Sequence, residues 1–135
     1  MRDQNDSRDA LERGQRLLAQ GNYEDAVKEN QRVLSLFENK APADEALFNL
    51  ALIHSHVENP QRDYRKAMNL FSKIVKDYPQ SPLAEQSKVW LGVLQVNDKL
   101  SQENEKLTQA NEKLTGLIER SKQVDLEIEE KKRKK

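Results

Sequence analysis

The chain has 135 residues, and its 23 basic and 23 acidic side chains give a formal net charge of zero. A chain without net charge has no overall field that would attract nucleic acid or an anionic membrane, so its partners must be recognised locally. The absence of cysteine excludes disulfides and thiolate metal sites, and no apolar run approaches the roughly 18 residues that span a bilayer.

The composition changes sharply along the chain. Every aromatic residue lies at or before Trp90, and every proline lies at or before Pro82. The sequence therefore predicts a compact region followed by a non-globular one. The predicted divisions are a disordered N-terminus (1–7), a helical repeat domain (8–97), a coiled-coil helix (98–130) and a basic tail (131–135).

Two segments of the helical domain share residue classes at the same spacing, 41 positions apart. The matching positions are Tyr23, Ala26, Val33, Leu34 and Phe37 in the first segment, and Tyr64, Ala67, Ile74, Val75 and Tyr78 in the second. Asn22 and Asp63 precede these segments and predict helix starts capped by a side-chain oxygen. Helical patterns over residues 8–20 and 44–56 come before them, so the sequence predicts two helix pairs.

These helix pairs resemble the tetratricopeptide repeat family. Ala67, Phe71 and Pro79 have the spacing of that family's pattern, and GNYEDA at residues 21–26 is similar to its turn into a second helix. The first repeat departs from the pattern with Asn30 in place of the aromatic residue, and the second has a longer turn. The resemblance implies an all-α fold of two tetratricopeptide-like helix pairs, followed by a long third-layer helix that extends into a C-terminal coiled coil.

The resemblance also implies a concave face that binds a protein or peptide. Carried over onto this sequence, that face consists of Gln15, Leu18, Ala19, Phe48, Leu52, Ser55, His56, Val89, Val93 and Val96. The apolar character of this face favours an apolar helix or strand as the ligand. The alternative is that these residues are core, covered by a cap.

A third helix opens at Ser81-Pro82, an N-cap followed by the residue that suits the first helical position. Only Gly92 and Gly116 could interrupt it, so the sequence predicts one helix from about residue 82 to about residue 130. Its apolar positions recur every seven residues, which is the pattern of a coiled coil. In heptad positions a to g, the d positions are Leu100, Leu107 and Leu114, and the a positions are Asn97, Asn104, Asn111 and Ile118.

Asparagine at a positions favours a parallel, in-register homodimer, because each amide can pair with its own symmetry mate. The same frame runs backward through Val93 and Trp90. After Leu114 the apolar positions shift by three, to Leu117, Val124 and Ile128, a displacement that resembles a stammer. The alternative is a solvated single helix without a partner.

The remaining sequence features do not indicate a metal site, a nucleic-acid site or a catalytic site. His54 and His56 lie about 200° apart around a helix and cannot chelate one metal from one face. The basic run at 131–135 suits the C-terminal end of a helix dipole, and it follows the coil, whereas a DNA-binding zipper carries its basic region before the coil. No catalytic constellation is visible, so we expect neither an enzyme, nor a cofactor, nor a nucleic-acid partner.

The junction YPQSPLAE at residues 78–85 resembles junctions in bacterial outer-membrane lipoproteins that carry tetratricopeptide repeats. This resemblance implies a periplasmic location, with a membrane contact only through a lipid anchor that precedes this chain; the alternative is the cytoplasm. The leading functional hypothesis is a scaffold or adaptor that holds a protein partner and dimerises through its coil. The alternative is a monomeric peptide-binding or chaperone-like module whose C-terminal helix serves as a lid or spacer.

Overall fold

The computed structural model describes residues 2–38 and 40–134, which form five helices and contain no strand. The helices are α1 (Arg2–Ala19), α2 (Tyr23–Leu36), α3 (Ala43–Ser55), α4 (Tyr64–Asp77) and α5 (Pro82–Arg133). The predicted all-α class and the predicted long C-terminal helix are confirmed. The chain divides into two compact units, Met1–Gln95 and Val96–Lys135.

Helix α1 begins at Arg2, before the predicted start at residue 8. Residues 2–7, which the sequence analysis assigned to a disordered segment, form its first turns. Ser7 and Leu11 are both fully buried, one helical turn apart on the same face. Packing of this face keeps the early turns helical, although the segment itself is too polar to show an apolar stripe.

The helix ends differ in how their backbone groups are satisfied. Gly21 has a positive φ of 78°, and α1 closes with bonds from the Gly21 and Asn22 N–H groups to the Leu18 and Leu17 carbonyls. Asp63 Oδ1 accepts the Lys66 N–H at 3.0 Å, which confirms the predicted cap of α4. Asn22 occupies the predicted N-cap position of α2, but the predicted bond from its side-chain oxygen is wrong: the Asn22 amide donates to the Asp25 carboxylate and caps no backbone N–H.

The loop between α3 and α4 covers residues 56–63 and is longer than the turn at residues 20–22 between α1 and α2, as the sequence predicted. Asn59 organises this loop from within. Its buried side chain donates to the Ile53 carbonyl at 2.9 Å and accepts the Gln61 N–H at 2.9 Å. Two bonds from one side chain satisfy backbone groups that no helix would satisfy.

The core of the unit Met1–Gln95 has two clusters of apolar side chains. In sequence order the helices pack α1 on α2, α2 on α3, and α3 on α4. The first cluster is Ala10, Leu11, Val33 and Ala46, and the second is Leu47, Phe48, Ala51, Ala67, Phe71, Ile74 and Leu94. Leu94 brings the first part of α5 into the second cluster.

The two helix pairs bury different residue types at one equivalent position of the repeat, Asn30 in α2 and Phe71 in α4. Phe71 is fully buried, and its ring lies edge-on to that of Phe48, with centroids 5.6 Å apart. Asn30, at the matching position in α2, is also buried, donates to the Ala26 carbonyl at 2.8 Å and accepts from Asn49 at 3.3 Å. A hydrogen-bonded amide thus replaces the aromatic ring in the first pair.

Gly14 makes room for this amide. A Cβ atom at Gly14 would lie 2.8 Å from Asn30 Nδ2. We expect Gly14→Ala to lower the free energy of unfolding by about 1–3 kcal/mol, because Asn30 must move away from its two partners. Gly92→Ala is the control: nothing lies within 4 Å of the added atom, so helix propensity should raise stability by about 0.5–1 kcal/mol. Urea unfolding curves of both variants check the opposite signs, and two equal shifts would contradict the packing argument.

Candidate functional site

A groove of about 550 Å³ lies in the unit Met1–Gln95. Three residues of the predicted concave face, Gln15, Phe48 and Leu52, line it together. The other lining residues are Arg8, Ala41, Pro42, Asp44, Glu45, Asn49, Ser81, Pro82 and Leu83. The groove therefore combines side chains of α1, α3 and the start of α5, and it contains Leu83, which the sequence analysis did not include.

The charged groups on the groove wall are paired with one another. Arg8 donates to both carboxylate oxygens of Glu45, at 2.8 and 3.0 Å, and the Ser81 hydroxyl donates to Asp44. The hydrogen bond to Glu45 raises the pKa of Arg8, so this guanidinium stays charged. Because these polar atoms have partners already, the surface left for a ligand is mainly apolar.

Four further predicted residues lie at the ends of α1 and α3. Leu18, Ser55 and His56 are half-buried, and Ala19 is exposed. The Tyr23 and His56 rings are tilted, with centroids 5.3 Å apart. His56 Nδ1 accepts the Glu58 N–H at 3.2 Å and lies 3.4 Å from the Tyr23 hydroxyl, so the side chain holds the start of the 56–63 loop.

The valines predicted for the concave face lie elsewhere on α5. Val89 and Val93 belong to the unit Met1–Gln95 and are exposed, and Val96 is exposed in the second unit. The buried side of α5 consists of Ala84, Ser87 and Leu94 instead. The structure thus brings Gln15, Phe48 and Leu52 together and leaves these three valines at the surface.

The second unit, Val96–Lys135, carries the predicted coiled-coil positions. Leu100, Leu107 and Leu114 are 58%, 64% and 57% exposed. The a positions are also exposed: Asn97, Asn104, Asn111 and Ile118. Helix α5 continues through Gly116, so all these side chains share one unbroken helix. We call the a and d positions from 97 to 118 the leucine edge.

The flank of the leucine edge has a feature that the sequence analysis missed. Thr108 and Thr115, at e positions, donate their hydroxyls to the carbonyls of Asn104 and Asn111, at 3.0 and 2.9 Å. Hydroxyls bonded to their own helix can be buried at little cost. Of the neighbouring charged residues, Glu105, Lys106, Glu112 and Lys113 lie at b and c positions, and Glu103 lies at a g position. The return of Thr every seven residues was the available signal.

The distal part of the unit also exposes apolar side chains. Leu117, Val124 and Ile128, which the sequence analysis assigned to a displaced frame, are all exposed, and so is Leu126. No interruption of the helix accompanies the displacement at Gly116. The stammer therefore stays a prediction about how this segment would pack on another helix.

His54 is the histidine with a perturbed environment. Burial lowers its pKa, the nearby positive charge of Lys66 lowers it further, and Asp63 opposes both effects. Among the described residues its buried Nδ1 has no hydrogen-bond partner. The folded state therefore favours the neutral ring.

We expect acidification to destabilise the fold through His54. The unfolded chain takes up the proton near the ordinary pKa of 6.5, whereas the folded chain does so at a lower pH, so stability is complete above that value and falls as the pH drops through the folded pKa. The melting temperature should decrease more between pH 7.5 and pH 5.5 for the wild type than for His54→Gln. An equal fall in the two proteins would contradict this assignment.

Comparison of the chain with protein-family models, with curated proteins and with solved structures returns no match. In the described ranges, 2–38 and 40–134, no helix combines the length and apolar composition needed to cross a membrane. The same residues contain no group of three His, Asp or Glu side chains placed to hold a metal ion.

Proposed function

We propose that this chain is a non-catalytic scaffold or adaptor, whose helical repeat domain holds a protein partner and whose leucine edge joins two copies. The observation that carries the proposal is the exposure of Leu100, Leu107 and Leu114 at heptad spacing on an unbroken helix. Burial of a leucine contributes about 1.5–3 kcal/mol, so a row of open leucines gains most from a second helix.

The asparagines of the leucine edge favour a parallel, in-register pair. In that arrangement Asn104 and Asn111 each face the same residue of the second copy, and amide can bond to amide. In an antiparallel pair, a positions face d positions, so each Asn would lie against a Leu and lose its partners. Charged e–g′ pairs of opposite sign are missing, because the e positions are Ser101, Thr108 and Thr115. Register is therefore left to the asparagines.

The repeat domain is proposed to be tetratricopeptide-like. The support is the packing of α1 on α2 and of α3 on α4, with Ala26, Ala51 and Ala67 fully buried where a larger side chain would overpack. A location in the bacterial envelope is proposed as well, and its support is the junction at residues 78–85. Fractionation of cells that carry the natural full-length gene product tests the location.

The mass of the chain in solution tests the proposal directly. Sedimentation equilibrium over the micromolar range should give twice the monomer mass, with return to the monomer on dilution. In a mixture of chains that carry a cysteine at Asn97 and chains that carry one at Ile118, both a positions, cross-links in a parallel pair should join like positions only. A monomer at every concentration would refute self-association, and cross-links only between unlike positions would refute the parallel arrangement.

The groove favours a second candidate function, a monomeric peptide-binding module. Phe48, Leu52 and Leu83 give it an apolar lining between paired charges. Titration of the chain with apolar helical peptides should then show saturable binding, which Leu52→Asp abolishes and Asn69→Asp, an exposed change on α4, leaves intact. Binding by the monomer, without any dimer, would favour this candidate over the adaptor.

A further inference from the structure

The first part of α5 has a second apolar surface within the unit Met1–Gln95. Val89, Trp90 and Val93 are 65%, 44% and 53% exposed. Three neighbouring large apolar side chains on one helix face leave a contiguous patch open to water, which is the usual mark of an interaction surface.

Most of this patch is separate from the face that α5 uses for its own fold. Ala84, Ser87 and Leu94 are buried at positions three and seven apart, on one side of the helix. At 100° per residue, Val89 and Val93 fall on nearly the opposite side, whereas Trp90 lies at the edge of the buried side, about 40° from Leu94. The two valines are therefore not surplus core, and closing the repeat domain more tightly on α5 would not cover them.

We propose that the patch is covered by the same patch of a second copy, so that the dimer interface begins at Trp90. This inference rests on the proposed dimer. Counted along the sequence, Trp90 is an a position and Val93 a d position of the frame that makes Leu100 and Leu107 d positions. In a parallel, in-register pair, a therefore faces a and d faces d, and Trp90 and Val93 meet their own symmetry mates.

The residues just before Trp90 are compatible with a second copy on the patch, and they mark the N-terminal end of the interface. Glu85 and Lys88 pair with each other at 2.9 Å at c and f positions, outside the interface, so pairing of two copies buries no charge there. The preceding d and a positions are Gln86, which is polar, and Leu83, which packs against the chain's own core. The row of exposed apolar a and d positions therefore begins at Trp90 and does not extend to earlier residues. Trp90 and Val93 also add the apolar burial that the three asparagines at a positions remove.

The single tryptophan reports on this interface. In the full chain, emission of Trp90 should lie at shorter wavelength in the dimer and shift to longer wavelength on dilution to the monomer. Val93→Asp should raise the dissociation constant by roughly tenfold or more, because it places two carboxylates in a buried layer. Gln95→Asp, which adds the same charge at an exposed f position, should leave the constant within about twofold. Val93→Ser, which adds no charge, should also raise the dissociation constant of the dimer.

Two results would overturn the inference, and they differ in what they leave standing. A dimer that forms with equal affinity in Val93→Asp and Gln95→Asp, with unchanged Trp90 emission, would place the start of the interface below Val93 and leave the proposed dimer intact. A wild-type chain that stays monomeric at every concentration would remove both the inference and the proposed dimer.

Discussion

Leu107→Asp is expected to abolish self-association at concentrations where the wild-type chain is a dimer. The two leucines of one d layer contribute about 1.5–3 kcal/mol each when buried, so their loss raises the dissociation constant by about 100- to 10,000-fold. Two facing carboxylates add repulsion to that loss. Sedimentation equilibrium of both proteins measures the change.

Gln109→Asp provides the matched control for Leu107→Asp. It adds the same charge two residues further along α5, at an f position that faces away from a coiled-coil partner. The control should keep the dissociation constant of the wild type. Circular dichroism of monomeric Leu107→Asp should retain the helix content of the repeat domain, since Leu107 belongs to the other unit. Equal masses for the two variants would refute the leucine edge as the dimer interface.

Phe71→Ala is expected to produce the largest loss of fold stability. Phe71 is fully buried among Phe48, Ala67 and Ile74, and its ring contacts that of Phe48 edge-on. Removal of a buried phenylalanine side chain costs about 3–5 kcal/mol through lost burial and the cavity left behind. Against a typical stability of about 5–15 kcal/mol for a domain, this loss leaves a marginal fold. Urea unfolding followed by circular dichroism measures it.

The measurement should be made with Leu107→Asp present in every protein, because dimerisation would stabilise the folded state by mass action and mask part of the loss. Leu36→Ala is the control: Leu36 is a large apolar residue on α2 whose side chain is exposed. Its loss should change the free energy of unfolding by less than about 0.5 kcal/mol. A loss below about 1 kcal/mol for Phe71→Ala would show that the second cluster is not the core of the domain.

The parts of the fold that could be predicted from sequence are those governed by local pattern. The long helix followed from the lack of helix breakers between Pro82 and the C-terminus, and α2 and α4 followed from matching residues 41 positions apart. The early start of α1 at Arg2 could not be predicted, because it depends on tertiary packing and a polar sequence gives no sign of that packing. The end of α1 at Ala19 lies next to its predicted end at residue 20, because the glycine of the following turn is visible in the sequence.

The candidate site was partly predictable for a related reason. Gln15, Phe48 and Leu52, three residues of the predicted concave face, line the groove from α1 and α3. On α5 the groove receives Leu83, whereas Val89 and Val93 point to another side. One residue of register turns a side chain by 100°, and the sequence alone does not fix how α5 rotates against its neighbours. The return of Thr108 and Thr115 at heptad spacing is visible in the sequence, but the hydrogen bonds of their hydroxyls to carbonyls of the same helix are seen only in the structure.

The amide at Asn30 and the ring at Phe71 make the two helix pairs non-interchangeable. A chain that slipped by one repeat, with α2 in the place of α4, would set the Asn30 and Asn49 amides against the Phe48 and Phe71 rings. Each mismatch would bury unsatisfied amide atoms and leave an aromatic ring in a space shaped by Gly14. Similar repeats can pair in the wrong order during folding, and the different buried residues at positions 30 and 71 disfavour such mispairing in this chain.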